Sequence, residues 1–164
     1  MVEITLQVDG DDALRQAFAK LEQSLRDLSK PLEKAGDVFY TFEKDAFDSE
    51  GASSAAGRWS PLTRQYARWK EAVAPGKPIL ELSGAMRDAM TGPDSPDSYR
   101  RISPNEIAIG TTLEYPKFHQ TGTARMVARQ VIALTKEQET QLVDVVKDGM
   151  REILKDVGFE VEGL

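Results

Sequence analysis

Residues 99–111, YRRISPNEIAIGT, hold two short extended runs, Tyr99 to Ser103 and Glu106 to Thr111, joined by Pro104 and Asn105. A tight connection between two such runs predicts an antiparallel hairpin. Helical periodicity surrounds it on both sides. Upstream, Leu14, Ala17, Phe18, Leu21, Leu25 and Leu28 recur at three- and four-residue spacing, predicting an amphipathic helix to about Ser29 with Asp11 or Asp12 as its cap. Pro31 suits a first helical turn, and Leu32, Ala35, Val38, Phe39, Phe42 and Ala46 form a second stripe ending near Ser49. Downstream, Thr135 and Gln138 form a capping box that opens a long last helix with the stripe Leu142, Val143, Val146, Met150, Ile153 and Val157. Strands and helices do not alternate regularly, so the chain reads as α+β: a small antiparallel sheet packed against long amphipathic helices, with extended loops.

Further elements follow from shorter signals. Val2, Ile4, Leu6 and Val8 alternate with Glu3, Thr5, Gln7 and Asp9, the period of a half-buried strand. Ser60 as cap with Pro61 at the first helical position predicts a short helix whose apolar face is Leu62, Tyr66, Trp69 and Val73. Ser83 is placed to cap another, carrying Met86 and Met90. Met126 to Leu134 reads as a further strand. A single domain spanning residues 1–164 is expected, with flexible loops at 50–57 (EGASSAAG) and 91–98 (TGPDSPDS) and a disordered tail at 158–164.

Composition removes much chemistry. The 164 residues include no cysteine and one histidine, which excludes thiol nucleophiles, cysteine-rich zinc sites and multi-histidine metal centres. No apolar run approaches the ~20 residues of a membrane span, and the amino terminus lacks an export-signal pattern, so a protein made in a cytoplasm is expected. The net charge of −6 argues against a dedicated nucleic-acid binder. That average hides an order. Residues 1–50 hold 12 acids and 6 bases, residues 51–134 hold 7 and 11, and residues 135–164 hold 8 and 4. A basic middle between acidic ends suits head-to-tail contact between copies of the chain.

Motifs for catalysis are missing. Ser83 sits in ELSGA without the leading glycine of a hydrolase elbow, and Gly76-Lys77 is followed by Pro78 rather than by a phosphate-loop Ser or Thr. The acids Glu43, Asp45, Asp48 and Glu50 read as the solvated end of a helix. No catalytic residue, cofactor or metal site is expected. His119 has no serine or acid constellation near it in sequence, so a structural role is expected over that of a hydrolase base. It belongs to YPKFHQTG, where Tyr115, His119 and Gln120 precede a Gly122 suited to a turn with positive φ.

Four stretches, AFDSEGASSAAGRWSPLTRQYARWK, ILELSGAMRDAM, EIAIGTTLEYPKFHQTG and VARQVIALT, together resemble the phage virion morphogenesis family, the tail-completion proteins of tailed phages and prophages, over residues 40–135. Trp59, Pro61, Leu62 and Thr63 match its tryptophan and helix start after a glycine-rich loop. Ile79, Leu80, Ser83, Gly84 and Met86 match its Ile-Leu-x-x-(Ser/Thr)-Gly-x-(Leu/Met) element. Ile109, Gly110 and Thr111 match its strand end, and Tyr115, His119, Gln120 and Gly122 its Tyr-Ala-x-x-His-Gln-x-Gly. Pro116 departs from the family's alanine. The family's Pro-x-Arg-Pro-Phe-Leu appears as residues 127–132 with only Arg129 kept, so the strand there is expected to pair without a proline break.

The resemblance implies a non-enzymatic structural protein of the head–tail neck that completes the tail or joins it to the capsid. It implies a ring of identical subunits contacting other neck, connector or tail-tube proteins, with DNA passing through rather than being read, and no membrane partner. Assembly in the host cytoplasm and then residence in the virion follow. For the interface, Arg58, Trp59, Arg64, Arg68, Trp69, Lys70 and Arg129 are the candidates, because Trp and Arg commonly anchor protein interfaces. Tyr115, His119, Gln120 and Gly122 are expected to build a structural turn. The alternative use of the Trp59–Lys77 segment is as a nucleic-acid-binding face.

Overall fold

Two long helices lying antiparallel carry the molecule. A computed structural model describes residues 11–159, with the order α1 (Asp11–Leu25), α2 (Ser29–Asp48), α3 (Arg64–Val73), α4 (Ala85–Thr91), β1 (Ser98–Ser103), β2 (Glu106–Thr111), α5 (Pro116–Thr121) and α6 (Lys136–Asp156). The fold is α+β, with a two-stranded antiparallel sheet. The expected first strand, at Val2 to Val8, lies outside the described residues.

Helices α2 and α6 approach closely because Gly149 has no side chain: a Cβ there would sit 2.7 Å from Pro31 Cγ. A second glycine performs the same service for the sheet. A Cβ on Gly36 would meet Ile107 Cδ1 at 2.6 Å, so β2 lies directly on α2. Its partner β1 is fixed beside it by Arg100, which donates to the Glu33 carbonyl at 3.0 Å, pairs with Asp37 at 2.9 Å and lies 5.6 Å from the Tyr40 ring centre. The hairpin register runs from Ser98 opposite Thr111 to Ser103 opposite Glu106, as the extended runs predict.

The expected capping box is present. Gln138 N–H donates to Thr135 Oγ1 at 3.2 Å, and Thr135 N–H to Gln138 Oε1 at 2.8 Å. Other boundaries shift. The cap of α3 is Thr63, not Ser60, its hydroxyl accepting from Tyr66 N–H at 3.3 Å. Gly84, at φ 97°, precedes α4 in place of Ser83 as the cap residue. Met126 to Leu134 forms no strand. Beyond a lone bridge between Thr123 and Met126, it is an extended strap without a backbone ladder. The arginine-bearing segment therefore does not pair continuously as a strand, and nothing in the structure explains the loss of the two prolines at positions 127 and 130.

The core is small: Phe47, Trp59, Met86, Met90 and Val131 are buried together, with Ile79, Leu80 and Leu113 against them. The loop after α2 is exposed at Ala52, Ser53, Ala55 and Ala56, as its composition suggests, yet it is tied at several points. Ala55 N–H donates to the Ala133 carbonyl at 2.9 Å, Ser53 N–H to Ser49 Oγ at 3.1 Å and Trp59 N–H to the Glu50 carbonyl at 2.8 Å. Residues 91–98 are tied likewise, through Ser98 Oγ to the Gly92 carbonyl at 2.9 Å. Of the expected tail, residues 160–164 lie outside the described residues, and Phe159 packs against Phe18 with tilted rings whose centres are 5.5 Å apart.

Glu43 corrects the reading of a solvated acidic helix end. It is 2% exposed, its Oε2 has no hydrogen-bond partner, and burial pushes its carboxyl up to about 8. Below pH 4.5 both folded and unfolded chains hold this proton. Between 4.5 and about 8 only the folded chain does, so stability falls as pH rises, by at most ~1.4 kcal/mol per pH unit. Glu43→Gln mimics the protonated form. Its stability gain over wild type, measured by urea unfolding, is expected to grow from pH 5 to pH 8; parallel pH profiles would show that Glu43 does not hold a proton in the fold.

Candidate functional site

The basic aromatic segment divides on folding into an interior and an exterior. Trp59 goes inside: it is 3% exposed, its ring meets Phe47 edge-on at 5.3 Å, and its indole N–H donates to the Gln130 carbonyl at 2.8 Å. Lys70 is also interior, 4% exposed, with its ammonium donating to the Pro78 carbonyl. Burial lowers its pKa, against the opposing pull of Glu50, Glu81 and Glu71. Arg129 is buried too, with Nε donating to the Ser60 carbonyl at 2.7 Å and Nη2 to the Pro61 carbonyl at 3.0 Å. These three of the expected interface residues are therefore removed from the surface. Each spends its polar group on a backbone carbonyl, across 68 to 71 residues for Trp59 and Arg129 and across eight for Lys70, the arrangement that makes a buried donor tolerable.

The rest of the segment stays outside. Tyr66 and Trp69 are 43% and 48% exposed, with ring centres 5.2 Å apart, although their spacing predicts a buried stripe. Arg58, Arg64 and Arg68 are exposed around them, and none has an ion pair among the described residues. The outer face of α3 thus combines unpaired cations with a large exposed aromatic pair. Beside it runs a groove of about 680 Å³ between α3 and the strap, walled by Leu62, Tyr66, Leu82, Tyr115, Met126 and Val127.

The expected turn at Tyr115 to Gly122 is the short helix α5, and it holds the strap. Gln120 uses its whole amide: Oε1 accepts from Val131 N–H at 2.9 Å and from Ile132 N–H at 3.0 Å, while Nε2 donates to the Ile132 carbonyl at 2.7 Å. One side chain thus stands in for a neighbouring strand. His119 contributes through its main chain, its carbonyl accepting from Arg129 N–H at 2.8 Å. Its imidazole Nδ1 is buried without a partner, and burial, then Arg129, lower its pKa. Tyr115 lies edge-on to that ring at 6.2 Å. Gly122 ends α5 at φ 72°, and a Cβ there would stand 2.9 Å from Ala128 N. Both the dihedral and the space demand glycine. The strap is thus held by Gln120, His119 and Trp59, with its N–H groups at positions 129, 131 and 132 all in use.

Sequence reasoning missed the buried group around Lys70. Glu81 is buried and accepts from Arg87 Nη1 at 2.8 Å, and Arg87 also bonds Asp48. No residue there sits in a nucleophile–base geometry. Among the described residues no cluster of His, Asp and Glu is placed to hold a metal ion, and no helix is long and apolar enough to cross a membrane.

The phage virion morphogenesis family matches residues 9–151, and most of the architecture above falls inside that span. The chain belongs to this family. It is 27% identical over 145 residues to the Mu-like prophage FluMu G protein 1 of Haemophilus influenzae, covering 87% of this chain and 92% of that protein. No solved structure matches it. The family places the chain among phage structural and assembly proteins associated with the virion.

The strap generates a clear expectation. Gln120→Leu leaves the Val131 and Ile132 N–H groups without acceptors and should cost about 1–3 kcal/mol. Gly122→Val should cost at least as much, from the clash and from φ > 0 in a β-branched residue. Chemical denaturation reads both, and a Gln120→Leu protein with wild-type stability would refute the clamp.

Proposed function

We propose that this protein is a non-enzymatic component of the head–tail neck of a tailed-phage particle, completing the tail or joining it to the capsid as a ring of identical subunits. The observation that carries the reading is the outer face of α3, where Arg58, Arg64 and Arg68 stand unpaired beside the exposed Tyr66 and Trp69 in a chain of net charge −6. Solvent-exposed aromatics flanked by arginine are the composition of an interface centre, and an acidic surface is the matching partner. The chain supplies one: α6 carries six acids against four bases, and while Asp144, Asp148 and Glu152 are paired within the chain, Glu137 and Glu139 in its first turn have no ion pair among the described residues. Head-to-tail contacts between unlike surfaces close into rings when the rotation permits.

The nucleic-acid reading of the same segment is weaker. Folding withdraws Trp59 and Lys70, which leaves four exposed cations between Arg58 and Lys77 on an acidic protein. Passage of DNA through an acidic ring needs no grip on phosphate.

The decisive variant is Arg64→Glu with Arg68→Glu. Exposed charges of this kind contribute only ~0–1 kcal/mol to stability, so the melting temperature should hold. Joining of heads to tails, scored by electron microscopy in cells carrying only this version, should fail, and association of the purified protein with its neck partners should recover partly at high salt. Normal joining with unchanged melting would exclude α3 as the docking face.

A further inference from the structure

Between α2, α6 and β2 lies a second groove, of about 650 Å³, and nearly everything lining it is apolar: Phe39, Ile109, Ile132, Val143, Val146 and Met150 among others. Val143 is 52% and Ile132 38% exposed there, a large loss for side chains of this type. One wall is the edge of a sheet. Among the described residues β2 pairs with β1 alone, so its other edge has no neighbouring strand. Ile107 and Ile109 point down from β2 onto Gly36 of α2, while β1 lies on the far side, over Glu33 and Asp37. A third strand on the free edge would lie ~4.8 Å further over, above the exposed stripe of α6, and two strands alone are marginal where three are not.

The chain contains one segment of the required form. Residues 2–8, VEITLQV, alternate Val2, Ile4, Leu6 and Val8 with Glu3, Thr5 and Gln7, giving an apolar face for Val143, Val146 and Met150 and a polar face for solvent. Helix α1 decides whose copy supplies it. Leu28 N–H donates to the Pro104 carbonyl at 2.8 Å, so α1 joins the body at the hairpin-turn end. From there it leads past the end of α6, where Phe18 meets Phe159 at 5.5 Å, and from Phe18 back to Asp11 it rises about 10 Å more. Residues 9 and 10 then reach only ~7 Å. The near end of the groove, at Met150, lies six residues back from the end of α6 at Asp156, about 9 Å of helix, which is more than those two residues span even from that end. Leu14 and Phe18 on this projecting helix are exposed, as on an arm made for another molecule.

We propose that residues 2–8 of a second copy of this chain add as a strand to the free edge of β2 and fill this groove, so that each subunit is completed by the arm of its neighbour. The mode is strand addition, with main-chain bonds giving affinity and alternate side chains giving register. This rests on the reading of a ring of identical subunits and gives that ring a second contact, independent of the α3 face.

The absence of native cysteine makes the test direct. Two full-length double variants, Leu6→Cys with Val143→Cys and Ile4→Cys with Val143→Cys, place a thiol at two successive positions on the apolar face of the arm against one on α6; Val143 is exposed, so the fold tolerates the change. Both are oxidised in cells where particles assemble and run on non-reducing gels, together with the Leu6→Asp variant examined by light scattering. A ladder of disulfide-linked chains from either pair, and loss of oligomers in Leu6→Asp with an unchanged melting temperature, are the expected results. A disulfide within one chain would overturn the second copy as occupant. Oligomers that persist in Leu6→Asp, with no disulfide from either pair, would overturn the arm while leaving the ring itself standing. Wild type that is monomeric both free and in particles, with no disulfide, would overturn the ring as well.

Discussion

The bond from the Trp59 indole to the Gln130 carbonyl is the constraint around which the middle of the chain is arranged. A tryptophan brought into a core must spend its N–H, and here the acceptor lies in a segment 71 positions away. Room for the ring comes from Gly51, where a Cβ would stand 2.7 Å from Trp59 Cδ1. The turn that delivers the tryptophan is costly in itself: Glu50 adopts φ 51°, a region that non-glycine residues avoid. That residue is held twice over, its carbonyl accepting from Trp59 N–H and its carboxylate from Ile79 N–H at 2.8 Å. The end of α2, the lead into α3, the segment before α4 and the strap are thereby gathered at one point.

How much of this was legible depended on distance along the chain. The hairpin and the capping box of α6 were readable because their partners sit within a few residues of each other. Lys70 and Trp69 were misread for the opposite reason. Apolar spacing on α3 marks a stripe, but whether a stripe faces inward is set by what lies against it, and Pro78, Glu50 and Glu81 select Lys70 instead. The strap was misread because Val127, Arg129 and Val131 alternate as a strand does, while the group that pairs with it is a side chain, that of Gln120, which no pattern announces. Glu43 carried a signal that could have been used: it falls between Tyr40 and Phe47 on the buried side of α2.

Folding also redraws the charge order. Much of the excess of bases in the middle of the chain is consumed internally, Arg87 by Glu81 and Asp48, Arg100 by Asp37, Lys70 and Arg129 by carbonyls. Seven cations of that stretch stay exposed, and four of them, Arg58, Arg64, Arg68 and Lys77, fall on and beside α3, while Arg101, Lys117 and Arg125 lie in other elements. Electrostatics of this kind governs encounter and orientation more than affinity, so the exposed aromatics beside them matter for holding what the charges bring together.

The strap is located by separate fasteners, a glutamine amide, an indole, a histidine carbonyl and a guanidinium, instead of by a repeating ladder. A strand in a ladder can slip by two residues and find equivalent partners, since every rung is alike. Unlike fasteners have no equivalent next position. Inserting or deleting a single residue between Arg129 and Ile132 would misalign all of them at once, whereas side chains pointing away from the fasteners, such as Ala128, are free to vary. Length in this stretch is therefore under tighter constraint than composition, the reverse of what its loop-like backbone suggests.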